Sequence, residues 1–562
     1  MVFLSTECPI SNGYLPRLNA IHEKYQHQKV RFFGVISDSA VTRAEAAAHR
    51  KKFKIRFPVL FDASGEVRRR FRPSHVPQAF VLDHRAQRLY CGLIDDEYAA
   101  IGRKKKRTRH HYFSNAIRAA IHGQRPVAQK TQPIGCLVED VDAKIVPANV
   151  TYCRDIAPII QAHCITCHRP GEAAPFPLLS FQDVAKHSRQ IVAVTQAQIM
   201  PPWKPQAGFG HFRNERRLSK HELSLLAAWS KGGKAYGKPA DLPPARTFQT
   251  GWQLGKPDLI LEMPKAFRIP SRGADVFRHF VLPTGLRQHR MIAAIEFRPG
   301  NPRVAHHCSI FIDNTGSARK LDALSPGQGY SGFGGPGFLP MGSLGNWLPG
   351  SVPQRLPEQF GRILPSGTDI ILQMHYQCTG KPEFDRSKIG LYFASQSARQ
   401  LVSEFQVMNT TLKIPAGAKR FYHRATYQLP VDVTLFDAAP HMHLIGREMK
   451  VTAISPGGKT TPLIWIRDWD FNWQGQYSFA KPLKFRRGTR IIVEAWLDNS
   501  DRNLLNPNSP PKPVVWGDQT ADEMPLCQFR YTTRNLRDFR KMQVHYLRYL
   551  LKQMKRYYPN TP

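Results

Sequence analysis

Cys164-Ile165-Thr166-Cys167-His168 sets two thiols three residues apart with an imidazole directly behind them. That spacing suits covalent attachment to the two vinyl groups of a haem, with His168 as an axial nitrogen. The competing reading is half of a zinc site, for which only the scattered His163, His187, His211 and His221 offer further ligands. A haem iron also takes a sixth ligand. Met200, in the stiff run Ile199-Met200-Pro201-Pro202-Trp203, is the thioether candidate.

Histidines cluster in the second half, as His306-His307, as His375 in Gln373-Met374-His375-Tyr376, and as His441-Met442-His443. Adjacent histidines on a strand face opposite ways, so His306 and His307 can share one ion only at a strand end or a bulge. His441 and His443 differ by two, which predicts both imidazoles on one face of a strand. Met524, in Asp522-Glu523-Met524, offers a thioether to that pair. Mixed imidazole and thioether ligation selects copper over zinc, because Met sulfur suits Cu(I). Near the N-terminus, Cys8-Pro9-Ile10-Ser11 opens a predicted helix, whose positive end would stabilise a thiolate.

Positioning these side chains takes several domains. The chain has 562 residues, enough for about four domains at roughly 150 residues each. Hydrophobic residues at 42% exclude a largely disordered chain, and 45 Pro with 39 Gly favour turn-rich β structure over a helical bundle. Residues 1–140 alternate strand and helix signals: strands at 1–5, 30–36, 57–61, 79–82 and 89–94, helices at 14–25, 42–53 and 112–122. That is the pattern of an α/β sheet. Residues 150–237 form a small helical region closed by a helix at 219–232, and the Pro- and Lys-rich 238–247 is a linker. From about 250 the texture becomes short alternating strands between Pro/Gly turns, with runs at 276–282, 291–297, 307–312, 369–376 and 389–393, then at 420–429, 448–455, 461–466 and 490–497. Two consecutive antiparallel β-sandwiches are expected, over 250–400 and 401–562.

The net charge of +38 invites an anionic partner, but no nucleic-acid motif and no glycine-rich phosphate loop is present. The basic charge gathers at 103–109 and at 534–556. In the latter, Leu536, Phe539, Leu547, Leu550, Leu551 and Met554 recur at helical spacing. They predict an amphipathic basic helix that either packs on its own domain or touches an anionic surface. No apolar run approaches the roughly 18 residues of a membrane span. Nine cysteines are too sparse for a disulfide scaffold.

Three resemblances follow from these motifs. Residues 1–140, with Cys8 at a helix head and Val76-Pro77 before a strand, resemble the thioredoxin/peroxiredoxin-like redoxins, where a cis-proline faces the active-site cysteine. Ser11 stands where a dithiol enzyme has its second cysteine, so Cys8 is expected either as a one-cysteine thiol resolved by Cys91 or Cys136, or as the remnant of a redoxin used for docking. Residues 150–237 resemble the c-type cytochrome domains fused in large bacterial proteins, implying haem on Cys164, Cys167 and His168 with Met200 as sixth ligand. Residues 250–562 resemble the copper type II, ascorbate-dependent monooxygenases, the family of peptidylglycine hydroxylating and dopamine β-monooxygenases. That resemblance implies one copper on His306, His307 and His375 and a second, O2-activating copper on His441, His443 and Met524.

Departures from that family are informative. Cys308 replaces the usual methionine after the histidine pair, placing a soft atom beside the first site. Ala439, Leu526 and Gln528 occupy the places of the arginine, asparagine and tyrosine that bind a peptide carboxylate, so a C-terminal glycine peptide is not the expected substrate. The sequence therefore reads as a haem- and copper-containing oxidoreductase that hydroxylates a small-molecule or peptide substrate with O2, using electrons from ascorbate or another reductant. Covalent haem attachment places it in the periplasm or outside the cell, although no export signal is visible. The alternatives are a haem/copper electron-transfer or copper-binding protein, and a thiol peroxidase centred on Cys8.

Overall fold

A computed structural model describes residues 1–38, 40–105, 107–138, 149–249, 251–273, 275–332, 335–338, 340–519 and 521–557, the Tyr557 side chain excepted. The expected boundary near residues 140–148 lies outside the described residues.

The first region runs β1 (Val2–Leu4), α1 (Pro9–Tyr25), β2 (Gly34–Ile36), α2 (Arg43–Lys52), β3 (Val59–Phe61), α3 (Glu66–Phe71), β4 (His75–Val76), β5 (Gln78–Leu82), β6 (Arg88–Gly92), β7 (Tyr98–Ala100), β8 (Arg103–Lys104), α4 (Tyr112–Ile121) and β9 (Cys136–Leu137). Its sheet has the order β3-β2-β1-β5-β6, with β1, β2 and β3 parallel and β5 antiparallel to β1. Ile10, Tyr14, Leu15, Leu18, Ile21 and Tyr25 repeat at three- to four-residue spacing and bury one face of α1. Pro9 fits the first helical turn, where its missing N–H costs nothing. A capping box of Thr42 and Glu45 starts α2. Val76–Pro77 is a cis peptide.

The second region holds α5 (Ala157–His163), α6 (Phe181–Lys186), α7 (Ser188–Gln196) and α8 (Lys220–Lys231) around Cys153, Ile156, Ile160, Val184, Leu226 and Trp229. Ser180 with Asp183 and Ser219 with Glu222 cap α6 and α8. Between α7 and α8 the chain leaves this core and lies on the last β region, where Trp203 packs on Tyr477 at 5.4 Å and Phe212 bridges to Phe479.

The β-rich remainder begins with β10 (Leu259–Glu262), β11 (Phe267–Ile269), β12 (Val276–Pro283), β13 (Arg290–Arg298), β14 (Ala305–Asp313), α9 (Ser317–Leu324), β15 (Tyr330–Ser331), β16 (Gly342–Trp347), β17 (Phe360–Leu364), β18 (Asp369–Tyr376), β19 (Glu383–Asp385) and β20 (Lys388–Phe393). It continues with β21 (Gln400–Met408), β22 (Lys413–Ile414), β23 (Phe421–Gln428), β24 (Val433–His441), β25 (Gly446–Ile454), β26 (Thr460–Ile466), β27 (Tyr477–Phe485), β28 (Arg490–Leu497), β29 (Val514–Val515), β30 (Leu526–Thr532) and α10 (Leu536–Tyr557). One sheet, β10-β20-β13-β17-β21-β30-β24-β27, runs through both expected halves. A five-stranded sheet, β15-β12-β18-β14-β16, shares a core with its first half, through Phe280, Ile310 and Leu372 against Ile292, Phe297 and Leu391. A four-stranded sheet, β23-β28-β25-β26, does the same for the second half, through Tyr427, Val451 and Val493 against Val407, Leu435 and Phe529.

The two β halves thus share one continuous sheet. They are welded edge to edge by the parallel pair β17–β21, Phe360 opposite Gln400 and Gly361 opposite Leu401. Helix α10 packs on its own domain through Phe539, Met542, Tyr546, Tyr549 and Leu550. Leu536, Leu547, Leu551 and Met554, expected on that same stripe, stay largely exposed among arginines and lysines. The tyrosines displace them because their hydroxyls reach backbone groups of β21, Tyr546 accepting from the Gln406 amide and Tyr549 from that of Met408. Among the described residues no helix is long and apolar enough to cross a membrane.

Candidate functional site

His306, His307 and His375 converge in the five-stranded sheet. β14 pairs with β18 so that His307 lies opposite His375, and the register slips between Ala305 and His307. That bulge swings His306 round to the same side as His307. The Nδ1 atoms of His306 and His307 are 3.3 Å apart, and those of His307 and His375 are 3.2 Å apart. Two imidazole nitrogens bound to one ion at about 2.0–2.1 Å with a tetrahedral angle would stand about 3.3 Å apart. The rings therefore hold the spacing of a shared ligand set without further movement.

Asp275 Oδ2 takes the opposite nitrogen of His375, Nε2, at 2.9 Å, and Phe277 stacks on that ring at 4.2 Å. A carboxylate behind an imidazole fixes its tautomer and aims the other nitrogen. Burial holds His306 down at about 3, and burial with the imidazoles of His375, His306 and His441 holds His307 well below the usual range. Both rings are thus neutral, the ligating form, at any physiological pH. Cys308 does not stand beside this site as expected: its thiol is fully buried in the apolar core behind the sheet, because alternation along β14 turns it away from His307.

His441 and His443 also come together, with ring centroids 5.2 Å apart and nearly perpendicular. They do so differently from the expectation. β24 ends at His441, so His443 lies beyond the strand and is placed by other groups. Its backbone N–H donates to Glu523 Oε1, and its Nδ1 meets the Asp522 carbonyl at 3.0 Å. His441 Nδ1 is held by Gln474 Oε1. Nδ1 of each ring is thus held by an oxygen, and the Gln519 backbone also bonds the His443 ring, so both imidazoles are fixed in orientation. Burial pushes His441 to about 4 and His443 to about 3. The ladder sets His441 opposite Leu526, so Met524 lies two residues before the register partner of His441 and packs on the second core. Glu523 donates no side chain to the cluster. It accepts the amides of both His443 and Met524, the latter at 2.9 Å.

The positions where the resembled family holds a peptide carboxylate are neutral here. Ala439 lies opposite Gln528 in the ladder, and the Gln528 amide is engaged by Glu404. A hairpin of the first region reaches both histidine clusters' neighbourhoods. Lys104 donates to Gly273 O at 3.4 Å, while Arg103 pairs with Asp468 and Asp470, each at 3.4 Å, and Gly102 O accepts from Asn472 at 2.9 Å.

Cys164 caps the end of α5 and Cys167 follows in the next turn. Cys167 Sγ lies 2.8 Å from where a side chain on Gly350 would begin, so only glycine fits beside it. His168 Nδ1 meets the Phe176 carbonyl at 3.0 Å, which fixes the ring and its tautomer. Burial drives Cys164 up to about 12 and raises Cys167 as well, so neither is poised as a free thiolate. Met200 lies half-buried after α7, its amide on Val194 O at 3.1 Å.

Cys8 caps α1 and is almost fully buried. Its Sγ is 3.2 Å from the Val76 carbonyl, on the residue before the cis-proline. Val76 pairs with Cys136 across β4–β9, which carries the Cys136 thiol to Cys8. Cys91, the other candidate resolver, lies in a separate small core with Phe3 and Phe80. Burial raises the Cys8 thiol, but the hydrogen bond from Cys136 and the amides of Ser11, Cys136 and Ile10 outweigh it, so Cys8 ionises below the ordinary thiol range. Donating that bond, and burial, hold Cys136 well above it. In a Cys136→Ala variant the largest of the lowering interactions is gone. The pH midpoint for alkylation of Cys8 by a small reagent is expected to move upward, with slower labelling at pH 7, as measured by peptide mass spectrometry. An unmoved midpoint would show that Cys136 does not tune Cys8.

Residues 1–87 match the AhpC/TSA family, and this N-terminal part is a thioredoxin-like redoxin domain. Among solved structures, a hypothetical protein from Sinorhizobium meliloti 1021 is 23% identical, over 25% of this chain and 79% of its own, at a TM-score of 0.23. An uncharacterized conserved protein from Geobacillus kaustophilus is 20% identical over 25% of this chain and 76% of its own, also at 0.23. PNGF-II is 9% identical over 48% of this chain and 64% of its own, again at 0.23.

Proposed function

We propose that this chain is a copper-dependent, monooxygenase-type oxidoreductase of the periplasm or cell exterior, with a covalent haem c as electron relay. The observation that carries the reading is the convergence of three Nδ1 atoms at 3.2 and 3.3 Å, one of them on a ring braced from behind by Asp275. Six side chains at matching order and spacing, His306, His307, His375, His441, His443 and Met524, support two copper sites. What copper would supply there is one-electron storage at each site and O2 activation at the thioether-bearing one.

The chain's own residues do the positioning. Asp275, Gln474 and the Asp522 carbonyl each engage one ring nitrogen of His375, His441 and His443 and so fix their orientation, and burial keeps the rings of His306, His307, His441 and His443 neutral. Ala439, Leu526 and Gln528 leave no cation for a substrate carboxylate, so an uncharged substrate fits better than a C-terminal peptide. Cys164, Cys167 and His168 would hold the haem, with Met200 as the sixth ligand.

Elemental analysis of copper-loaded, haem-matured protein tests the reading. The parent should hold about two coppers per chain, and His306→Ala and His441→Ala should each hold about one and lose ascorbate-driven O2 uptake. Copper indifferent to both substitutions would reduce the β region to a scaffold. A second reading, thiol chemistry at Cys8, is favoured by the AhpC/TSA match and the lowered Cys8 thiol. It predicts peroxide turnover that survives copper removal and ends with Cys8→Ser.

A further inference from the structure

The contacts around Cys8 lead to the haem motif, and every step of the path is a close contact. Glu7, next to Cys8, meets His187 Nε2 at 3.5 Å and Lys186 Nζ at 2.8 Å. The His187 ring stacks on Phe176 at 3.8 Å between centroids, 12° from parallel. The Phe176 carbonyl in turn holds His168 Nδ1 at 3.0 Å. The other sulfur is tied to the same helix: the Leu137 amide, next to Cys136, donates to Gln190 Oε1 at 2.7 Å, and Arg189 donates to the Val138 carbonyl at 2.8 Å. The neighbours of both cysteines thus contact the first turn of α7 or His187 just before it, and His187 stacks on the residue that holds the axial histidine.

We infer that Cys8 and Cys136 form a dithiol–disulfide couple that feeds electrons to the haem through the Glu7–His187–Phe176 contact. The inference rests on the proposed haem at Cys164, Cys167 and His168. Oxidation of the two thiols forms the Cys8–Cys136 bond, releases two protons and gives up two electrons. A haem held by Cys164, Cys167 and His168 would take the electrons one at a time, each passing on to a one-electron acceptor, which would be a copper held by His306, His307 and His375 or, in the test, ferricyanide. The direction is downhill, because dithiol couples lie at negative potentials whereas methionine–histidine ligation raises that of a haem. Cys8 is shielded, and Cys136, half-buried, is the sulfur an outside thiol would attack to recharge the pair.

The experiment takes thiol-reduced, haem-matured protein, mixes it anaerobically with ferricyanide and follows haem absorption, ferricyanide consumed and the Cys8–Cys136 disulfide by peptide mass spectrometry. Two ferricyanide should be consumed per disulfide formed, beyond the one that oxidises the haem. Disulfide formation should be at least tenfold slower in a haem-free Cys164→Ala/Cys167→Ala chain, or in unmatured wild type if that variant does not fold. His187→Ala, with haem attached, should also slow it. Equal rates with and without haem, or a haem that oxidises while both thiols stay alkylatable, overturn the inference while leaving the haem assignment standing. A matured chain whose mass shows no haem on Cys164 and Cys167 overturns the assignment and the inference together.

Discussion

Arg362→Ala is expected to cost about 3–5 kcal/mol, the usual penalty for stripping one partner from a buried ion pair. The Arg362 guanidinium, on β17, reaches Glu404 Oε1 on β21 at 2.9 Å and also the Ser343 carbonyl. Glu404 in turn accepts from Gln528, and on the neighbouring strands Arg530 pairs with the fully buried Asp437. These groups sit at the parallel junction where the first half of the long sheet meets the second. Burial lowers Arg362 and raises Glu404, so desolvation opposes the charge on both members.

The pair is therefore a poor source of net stability but an expensive thing to break. Arg362→Ala leaves Glu404 buried with one donor fewer, and the thermal transition of the β region should fall on the order of 10 °C. Arg362→Met with Glu404→Leu removes both charges, and the double variant should melt higher than Arg362→Ala alone. A single substitution costing under about 1 kcal/mol would show that the junction is held by its ladder and not by these charges. Because this junction joins the halves that carry the two histidine clusters, the loosened variant should also bind copper less uniformly at both proposed sites.

The same charges explain which strands the sequence reading found. β12, β14, β18, β23, β25 and β28 carry apolar alternation or continuous apolar runs, and their bounds were legible to within a residue or two. β17, β21 and β30 give no strand signal, and β24 shows only at its end, in the strand expected at His441 and His443. Each interrupts its apolar pattern with a buried or half-buried polar residue, Arg362, Glu404, Asp437, and Gln528 with Arg530, whose partners lie on other strands and cannot be seen along one. The histidines that the fold brings together, His306, His307 and His375, and His441 with His443, are legible from type and spacing. The groups that aim them, Asp275, Gln474 and the Asp522 carbonyl, are not, since each lies from 33 to 100 residues away from its histidine in sequence. Cys136 was one of two candidates for Cys8, and only the pairing of β4 with β9 decides between it and Cys91.

On the proposed two-copper reading, Glu523→Ala should strip the second copper while sparing the first. Its carboxylate is fully buried and accepts the backbone amides of His443 and Met524, so one side chain ties two of the three candidate ligands to each other. Alanine leaves both amides without that acceptor, at about 1–3 kcal/mol for each buried donor, or about 2–6 kcal/mol together. The His443 imidazole then loses its fixed position relative to Met524, and a ligand misplaced by about an ångström no longer shares an ion with its neighbours. Copper should fall from about two to about one per chain, with the remaining ion still lost on His306→Ala. Burial pushes the Glu523 carboxyl up to about 7, so glutamine is its neutral isostere near physiological pH. Glu523→Gln keeps the accepting oxygen and should retain most of the second copper and most of the stability. Should the alanine variant keep two coppers and melt with the parent, His443 and Met524 must be held by the ladder alone, and the glutamate is only filling space.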